Sequence, residues 1–289
     1  MGEFFKKPFS NKKKDFDQNF LPIDRKQLFK KIITTRLGKL FQINLICFLF
    51  LLPLISWDLL TNIYKSSLNG LSELVHFSIY TKSPITILFT IIFFISLAGG
   101  IYYIRRLAWG EPVTLLKTFI QGVKQSYIQF LILGFITSLF ICLFDLAITM
   151  MNNTNLSGTY NIIFTALLCF ALILFLSVIS YCLTLSSLYV MRLSTILKTS
   201  VIFTLKKFPS NILFILITYG VVAGWFMVGI VYLYFIGIII TAIIGISYSI
   251  LAWVLYTNSS YDIYINLKQY PAIYRKGLRP LTKEGATSA

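Results

Sequence analysis

Residues 211–256 lie within the longest uncharged stretch of the chain and read NILFILITYGVVAGWFMVGIVYLYFIGIIITAIIGISYSILAWVLY. A helix needs about 20 apolar residues to cross the hydrocarbon core of a bilayer. These 46 residues are roughly twice that length, so they predict two spans joined by a tight turn, which the glycines place around 229–237. Helices are expected because lipid offers no hydrogen-bond partner to an unpaired backbone group.

Four more apolar runs precede this stretch, and each is long enough for one span. Their residues are 40–57, 84–104, 127–149 and 161–190, and the only charge among them belongs to Asp145. Over the whole chain 57% of residues are hydrophobic and 12% are charged, which is too apolar for a soluble domain. The sequence therefore predicts an all-α, polytopic membrane helical bundle with six transmembrane helices.

The basic residues lie almost entirely on one side of these spans. The segments 1–39, 105–126, 191–210 and 257–289 hold 24 Lys and Arg, whereas the loop at 58–83 holds 2 and the loop at 150–160 none. Loops rich in Lys and Arg stay in the cytoplasm, so we expect both termini there and the protein in the plasma membrane.

Three segments follow from this topology: a basic cytoplasmic segment with an interfacial helix at 1–39, the transmembrane domain at 40–257 and a cytoplasmic tail at 258–289. A cleaved signal peptide is not expected, since the first apolar run follows a long basic tract. The net charge of +16 does not indicate nucleic-acid binding, because the basic residues flank apolar runs.

Amphipathic patterns recur in three of the basic segments. Asp24 can cap a helix over 25–39, Pro112 can begin one over 112–126, and Pro209 can end one over 194–207. Each combines an apolar stripe with Lys or Arg, as helices that lie in the membrane interface do. Two interpretations remain open, namely simple anchoring in the lipid interface and a docking surface for a partner protein.

Polar side chains inside the spans are the candidate functional residues. An ionisable group within a membrane is a functional candidate. The sequence places Asp145 near the outer boundary of its span, and the alternative interpretation is a hydrated or hydrogen-bonded acid with a structural role only. Hydroxyls repeat along the fourth span, and small residues that allow close helix approach repeat every four positions on the sixth. The hydroxyl stripe is Ser177, Ser180, Thr184 and Ser187, and the helix-packing ridge is Gly237, Thr241, Gly245 and Ser249.

Catalysis and metal binding find no support in the sequence. It contains no paired carboxylates, no nucleophile with a base at usable spacing and no phosphate-binding loop. The four cysteines lie in apolar runs without metal-ligand spacing, and there is one histidine, His76. We expect neither an enzyme nor a bound cofactor or metal.

Several segments resemble the YesL-like family of bacterial multi-pass membrane proteins. Residues 37–54 read LGKLFQINLICFLFLLPL, like the opening of that family, and residues 99–111 read GGIYYIRRLAWGE, like its Tyr-x-x-Arg-x-Leu segment. Residues 118–126 (TFIQGVKQS) resemble the helix that follows in the family, residues 193–198 (LSTILK) its later cytoplasmic helix, and Tyr270-Pro271 its tail. The similarity extends over about residues 28–275.

The resemblance implies an accessory role beside a carbohydrate ABC importer, because members of this family commonly accompany such systems. The expected partners are then the lipid bilayer and sugar permease subunits. The alternative is a self-contained transporter or channel for a small solute, which would require the hydroxyl stripe and the ridge to face one shared cavity, with Asp145 near its outer mouth.

Overall fold

The computed structural model describes residues 21–68, 70–154, 158–220 and 231–279, without the side chains of residues 231 and 232. Within these ranges the chain is helical apart from short connections, and it contains no strand. The predicted all-α class is therefore confirmed.

The first half of the protein consists of long helices joined by short connections. In chain order these are α1 (Arg25–Lys65), α2 (Leu71–Phe77), a π-helical turn (Ser78–Lys82), α3 (Ser83–Ala108) and α4 (Leu115–Asn153). Asp24 caps α1 as predicted, since its carboxylate accepts a hydrogen bond from the backbone N–H of Gln27 at 2.7 Å.

The second half is more often interrupted. Its elements are α5 (Gly158–Leu188), α6 (Leu193–Lys206), α7 (Phe208–Ile215) with a π-helical turn (Leu216–Gly220), α8 (Val231–Ile240), a π-helical turn (Thr241–Gly245), α9 (Ile246–Tyr261), a π-helical turn (Asp262–Asn266) and α10 (Leu267–Gln269).

Within the described residues, five helices are long and apolar enough to cross a membrane. They are α1, α4, α5, the continuous helix Leu71–Ala108 that contains α2 and α3, and the helix Leu233–Gln269. A sixth span is counted if α6 and α7 with its π-helical turn form one bent unit, and these two helices meet at 93°. The structure thus has five to six spans, in agreement with a membrane helical bundle.

The bundle has two distinct ends, which we name by their charges. The basic side carries Arg25, Arg105 and Lys276, and the Asp145 side carries Asp145 together with Lys65. Because α1 starts at Arg25 and ends at Lys65, its 41 residues connect the two sides. Its regular geometry is interrupted at Arg36 (φ −129°, ψ 24°), near the end of the predicted interfacial helix.

One of the three predicted amphipathic helices is not a separate element. The segment 112–126 continues into the third span as part of α4, which begins at Leu115 and not at Pro112. The segment 25–39 is contiguous with the first span in α1, but the non-helical geometry at Arg36 divides α1 into two helices at a kink. Helix α6 is a helix of its own. The turn predicted around 229–237 is also wrong for its later part, since α8 begins at Val231; residues 229 and 230 lie outside the described ranges.

The tight pairing of α3 with α4 depends on two glycines. A Cβ atom at Gly122 would lie 2.5 Å from the Cβ of Tyr102, and one at Gly134 would lie 2.9 Å from the Cβ of Phe94. Only residues without a side chain allow helices to approach this closely. This pairing holds α3, which lines the cavity described next, against α4.

Candidate intramembrane binding site

A cavity of about 230 Å³ lies inside the helical bundle. It is lined by side chains of α1, α3, α5, α9 and the π-helical turns that follow α7 and α8. Most of its lining is aliphatic or aromatic. The apolar side chains are Leu51, Phe93, Leu97, Ile101, Leu183, Ile246, Ile250, Trp253 and Val254.

Residues from both the hydroxyl stripe and the helix-packing ridge, which we call the two polar seams, line this cavity. Ser180 and Thr184 come from the hydroxyl stripe, and Thr241 and Ser249 come from the ridge. The structure therefore brings half of each seam together at one cavity, which sequence spacing could not show, since the two helices are about 60 residues apart in the chain.

The other members of the two seams lie elsewhere in the interior. Ser177 donates to the carbonyl of Ile173 at 2.9 Å, and the carbonyl of Ser187 accepts a hydrogen bond from the guanidinium of Arg105. Gly237 and Gly245 are buried but do not line the cavity.

Most of the hydroxyls around the cavity already have partners. Ser180 and Tyr219 are joined at 2.8 Å between their oxygens, and Thr184 and Tyr261 at the same distance. Ser249 donates weakly, at 3.3 Å, to the backbone carbonyl of residue 218. Thr241 differs: it is 1% exposed, and its hydroxyl oxygen has no hydrogen-bond partner among the described residues.

Asn44 positions the part of the helix that carries Thr241. Its side-chain amide donates to the carbonyls of Thr241 at 2.9 Å and Ala242 at 2.7 Å, and its oxygen accepts from the N–H of Ser247 at 2.8 Å. In a π-helical turn these backbone carbonyl and N–H groups do not make the ordinary α-helical hydrogen bonds. Since lipid offers no water to replace those bonds, the groups need another hydrogen-bond partner. Sequence analysis missed Asn44, although an Asn inside an uncharged span was a signal that could have found it.

Asp145 lies in an ion-pair cluster away from the cavity. Its two carboxylate oxygens contact the Nζ atoms of Lys65 at 2.8 Å and Lys82 at 3.0 Å, and Lys82 also contacts Asp58 at 3.1 Å. Thr149 accepts a second hydrogen bond from Lys65 at 3.1 Å. Both Lys residues of the loop at 58–83 are thus neutralised locally, and Asp145 does not line the cavity.

On the basic side, ion pairs and hydrogen bonds of charged residues connect the start of α1 and the loop after α3 with the segment that follows α9. Arg25 binds Asp262 at 2.6 Å, and the backbone N–H of Arg275 donates to the same carboxylate at 3.2 Å. Lys276 binds Glu111 at 2.7 Å. Together these four pairing residues, with Arg275, form what we call the basic platform.

The carboxylate of Glu111 forms ion pairs with two cations, Arg106 and Lys276. Burial alone would raise the pKa of Glu111, but the hydrogen bonds from Lys276 and Arg106 outweigh this effect and lower it below its ordinary value. The stabilising contribution of the Glu111 carboxylate is therefore present above its ordinary pKa and is lost as the pH falls through the lowered value.

The described ranges contain no group of three or more His, Cys, Asp and Glu residues that could hold a metal ion. No family model matches the chain, and no curated protein or solved structure is similar enough to count as a match. The resemblance to the YesL-like family therefore stays a prediction.

Proposed function

We propose that this protein is a non-catalytic membrane subunit that associates with a carbohydrate ABC importer in the bacterial plasma membrane, with its basic side in the cytoplasm. The importer is inferred from the resemblance to the YesL-like family. The geometry supports the more general part, an accessory protein that presents a docking surface, through the arrangement of α6.

Helix α6 has two apolar faces, of which only one packs against the described part of the bundle. Ile196 and Phe203 are buried against the bundle, whereas Ile202 and Leu205 are more than 60% exposed. The 93° angle to α7 orients α6 across the end of the bundle, in the position of an interfacial helix. The outer face of α6 is therefore available to lipid or to a partner protein.

The basic platform fixes the frame of the basic side and is not itself a docking surface. Arg25–Asp262 and Lys276–Glu111 join the start of α1, the loop after α3 and the C-terminal tail. The side chains of Arg25 and Asp262 are only 10% and 9% exposed, so a partner has little access to this pair.

A photoreactive residue in place of Ile202 tests the docking role directly. In the native host we expect it to crosslink to an importer permease subunit, and the same residue in place of Ile162, which is 72% exposed on the Asp145 side, to crosslink to lipid only. Purification in a gentle detergent should recover the permease with the unmodified protein. Crosslinking of Ile202 to lipid alone, together with the absence of permease in the purified sample, would contradict the proposal.

A second candidate function is the transport of a small solute, favoured by the one observation that both polar seams line one cavity. Uptake into proteoliposomes tests it, with Thr184→Val and Ser249→Ala expected to reduce the rate. Since Asp145 is held by two lysines away from the cavity, Asp145→Asn should leave transport unchanged when corrected for the amount of folded protein. Absence of uptake for any small solute tested would remove this candidate.

A further inference from the structure

We infer that an open groove on the Asp145 side of the bundle binds an organic cation with a quaternary ammonium group. The rings of Tyr64 and Phe77 contact its methyl groups, and the carboxylate of Glu73 balances its charge. This inference does not depend on the proposed docking function, which concerns α6. It rests on the accessibility of the groove, on its aromatic wall and on a carboxylate that has no ion pair within the described part of the chain.

The groove lies between the end of α1 and the beginning of α2 and measures about 470 Å³. Sites for organic ligands usually measure about 300–1,000 Å³. Glu73 and Phe77 are four residues apart on α2 and therefore share one face of that helix. Tyr64, from the last turn of α1, lies opposite them. The sequence separates these two walls by an apolar and polar loop, so the folded chain alone brings them together.

The polar groups of the groove are within reach of an occupant. Tyr64, Ser72, Glu73 and Thr81 all line the groove, and all four are exposed. This distinguishes the groove from the internal cavity, where the hydroxyls are buried or already paired. A solute in the surrounding water can therefore contact both the rings and the carboxylate.

Two aromatic rings form the apolar part of the wall. The ring centroids of Tyr64 and Phe77 are 4.8 Å apart, and the ring planes are inclined by 40°. The face of an aromatic ring carries partial negative charge and attracts a cation. Tyr64 remains 53% exposed, so its contact with Phe77 leaves ring surface for a ligand.

Glu73 gives the groove a negative charge that no described residue neutralises. It forms no hydrogen bond or ion pair within the described ranges, and the lining contains no Lys or Arg there. The two lysines of the loop at 58–83 are held by Asp58 and Asp145. The carboxylate repels an anion, and hydrogen bonds to a neutral solute compete with water. A quaternary ammonium ion gains contacts with both the carboxylate and the rings.

Ligand-detected NMR of the full-length protein in a neutral detergent tests the inference. The probes are choline and dimethylbutanol, a neutral analogue of the same shape in which carbon replaces the charged nitrogen. We expect saturable choline binding with a dissociation constant in the millimolar range, because each contact at an exposed site is weak. The neutral probe should bind about 3- to 10-fold more weakly, since it lacks the cation contacts.

Variants of the groove separate this site from general binding to the protein or the micelle. Glu73→Gln should reduce the affinity for choline to that for the neutral probe. Tyr64→Leu should reduce it about 2- to 5-fold, whereas Tyr64→Phe keeps the ring and should bind choline as the wild type does. Asp58→Asn is the matched control, because Asp58 is a carboxylate on the same side that does not line the groove.

Because Glu73 is exposed, we expect Glu73→Gln to fold, which circular dichroism checks, and this variant decides if Tyr64→Leu does not fold. Equal affinity of the wild type for the two probes, or unchanged choline affinity in Glu73→Gln, would overturn the inference and leave the docking proposal intact.

The same cation chemistry occurs in soluble molecules and in the headgroup of phosphatidylcholine. Phosphatidylcholine added to the micelles should displace choline if the groove takes a lipid headgroup, and should leave choline binding unchanged if the groove takes a soluble cation. Where binding depends on Glu73, either result supports the cation site and identifies the source of its ligand.

Discussion

Asn44 illustrates how a single residue can hold two spans together. It is fully buried in α1 and bonds to three backbone groups of the helix that contains Thr241 and Ser247. Replacement by an apolar residue leaves those groups unpaired in an environment without water, and each unsatisfied group is destabilising.

We therefore expect Asn44→Leu to lower the free energy of unfolding by about 3 kcal/mol, since several buried groups lose their partner. Unfolding by a denaturing detergent, followed by circular dichroism, measures the change. Asn258→Leu is the matched control, because Asn258 is also buried but its amide nitrogen has no partner among the described residues. Equal losses for the two variants would show that Asn44 acts through volume and not through its hydrogen bonds.

At Asp145, the structure favours the structural interpretation that the sequence left open. Its carboxylate is 30% exposed and contacts both lysines, one of which, Lys82, is 8% exposed. A cation that is nearly buried becomes costly when its partner is neutralised.

Asp145→Asn should lower the free energy of unfolding by about 1–2 kcal/mol, less than for a fully buried pair because the carboxylate is partly hydrated. Asp58→Asn removes a weaker partner of Lys82, since the side chain of Asp58 is 47% exposed, and should cost less than about 1 kcal/mol. Thermal unfolding in the same detergent compares the two variants. A larger effect for Asp58→Asn would contradict this account of the cluster.

Among the helices, Pro209 explains the break between α6 and α7. Proline cannot donate a backbone hydrogen bond, and its ring clashes with the carbonyl four residues earlier. Pro209 acts in this way near the end of α6, where Lys207 is non-helical (φ −116°, ψ 27°). No proline lies between Leu115 and Asn153, so the predicted helix at 112–126 continues into the span.

The C-terminal tail lies against the end of α3 through a close backbone contact. Gly277 has a φ of +86°, and a Cβ atom there would lie 2.5 Å from the carbonyl oxygen of Ala108. Gly110 has a φ of +75°, but a Cβ atom there would meet no described atom within 4 Å. The two glycines thus share a left-handed conformation and differ in the space around them.

Gly277→Ala should release the tail, because it adds a steric clash to the cost of roughly 1–2 kcal/mol for a left-handed residue with a side chain. Gly110→Ala carries the conformational cost alone. Limited proteolysis should cleave the tail of Gly277→Ala several times faster than that of Gly110→Ala. Equal cleavage rates would mean that the contact with Ala108 does not hold the tail.

For the whole molecule, the separation of the two sides leads to a prediction of topology. In the sequence, 24 of the 26 Lys and Arg lie in the segments predicted for one side of the membrane, and the two lysines of the opposite loop are paired with Asp145. By the positive-inside rule we expect the basic side to face the cytoplasm.

Cysteine labelling of intact spheroplasts measures this orientation. A membrane-impermeant maleimide should label Ser66→Cys on the Asp145 side at once and Lys268→Cys on the basic side only after the membrane is permeabilised. The unmodified protein is the control, since its four cysteines lie in α1, α4 and α5 within the apolar spans. The reverse pattern would invert the proposed topology.

The sequence alone determined the class of the protein and the approximate position of its spans. Long uncharged runs such as 40–57 must be helical in lipid, because each residue has to pair its own backbone groups. This requirement is local, so it can be read from composition. The same local pattern could not distinguish an interfacial helix from the first turns of a span, which explains the difference at 112–126.

Only the tertiary structure decided which polar residues meet. It brought Thr241 and Ser249 to the same cavity as Ser180 and Thr184, placed Asn44 against a distant backbone and gave Asp145 its two lysines. Along an apolar helix every face looks similar, and rotation about the helix axis is set by packing against neighbours. The chemistry of the interior therefore depends on contacts between helices, which no single stretch of sequence contains.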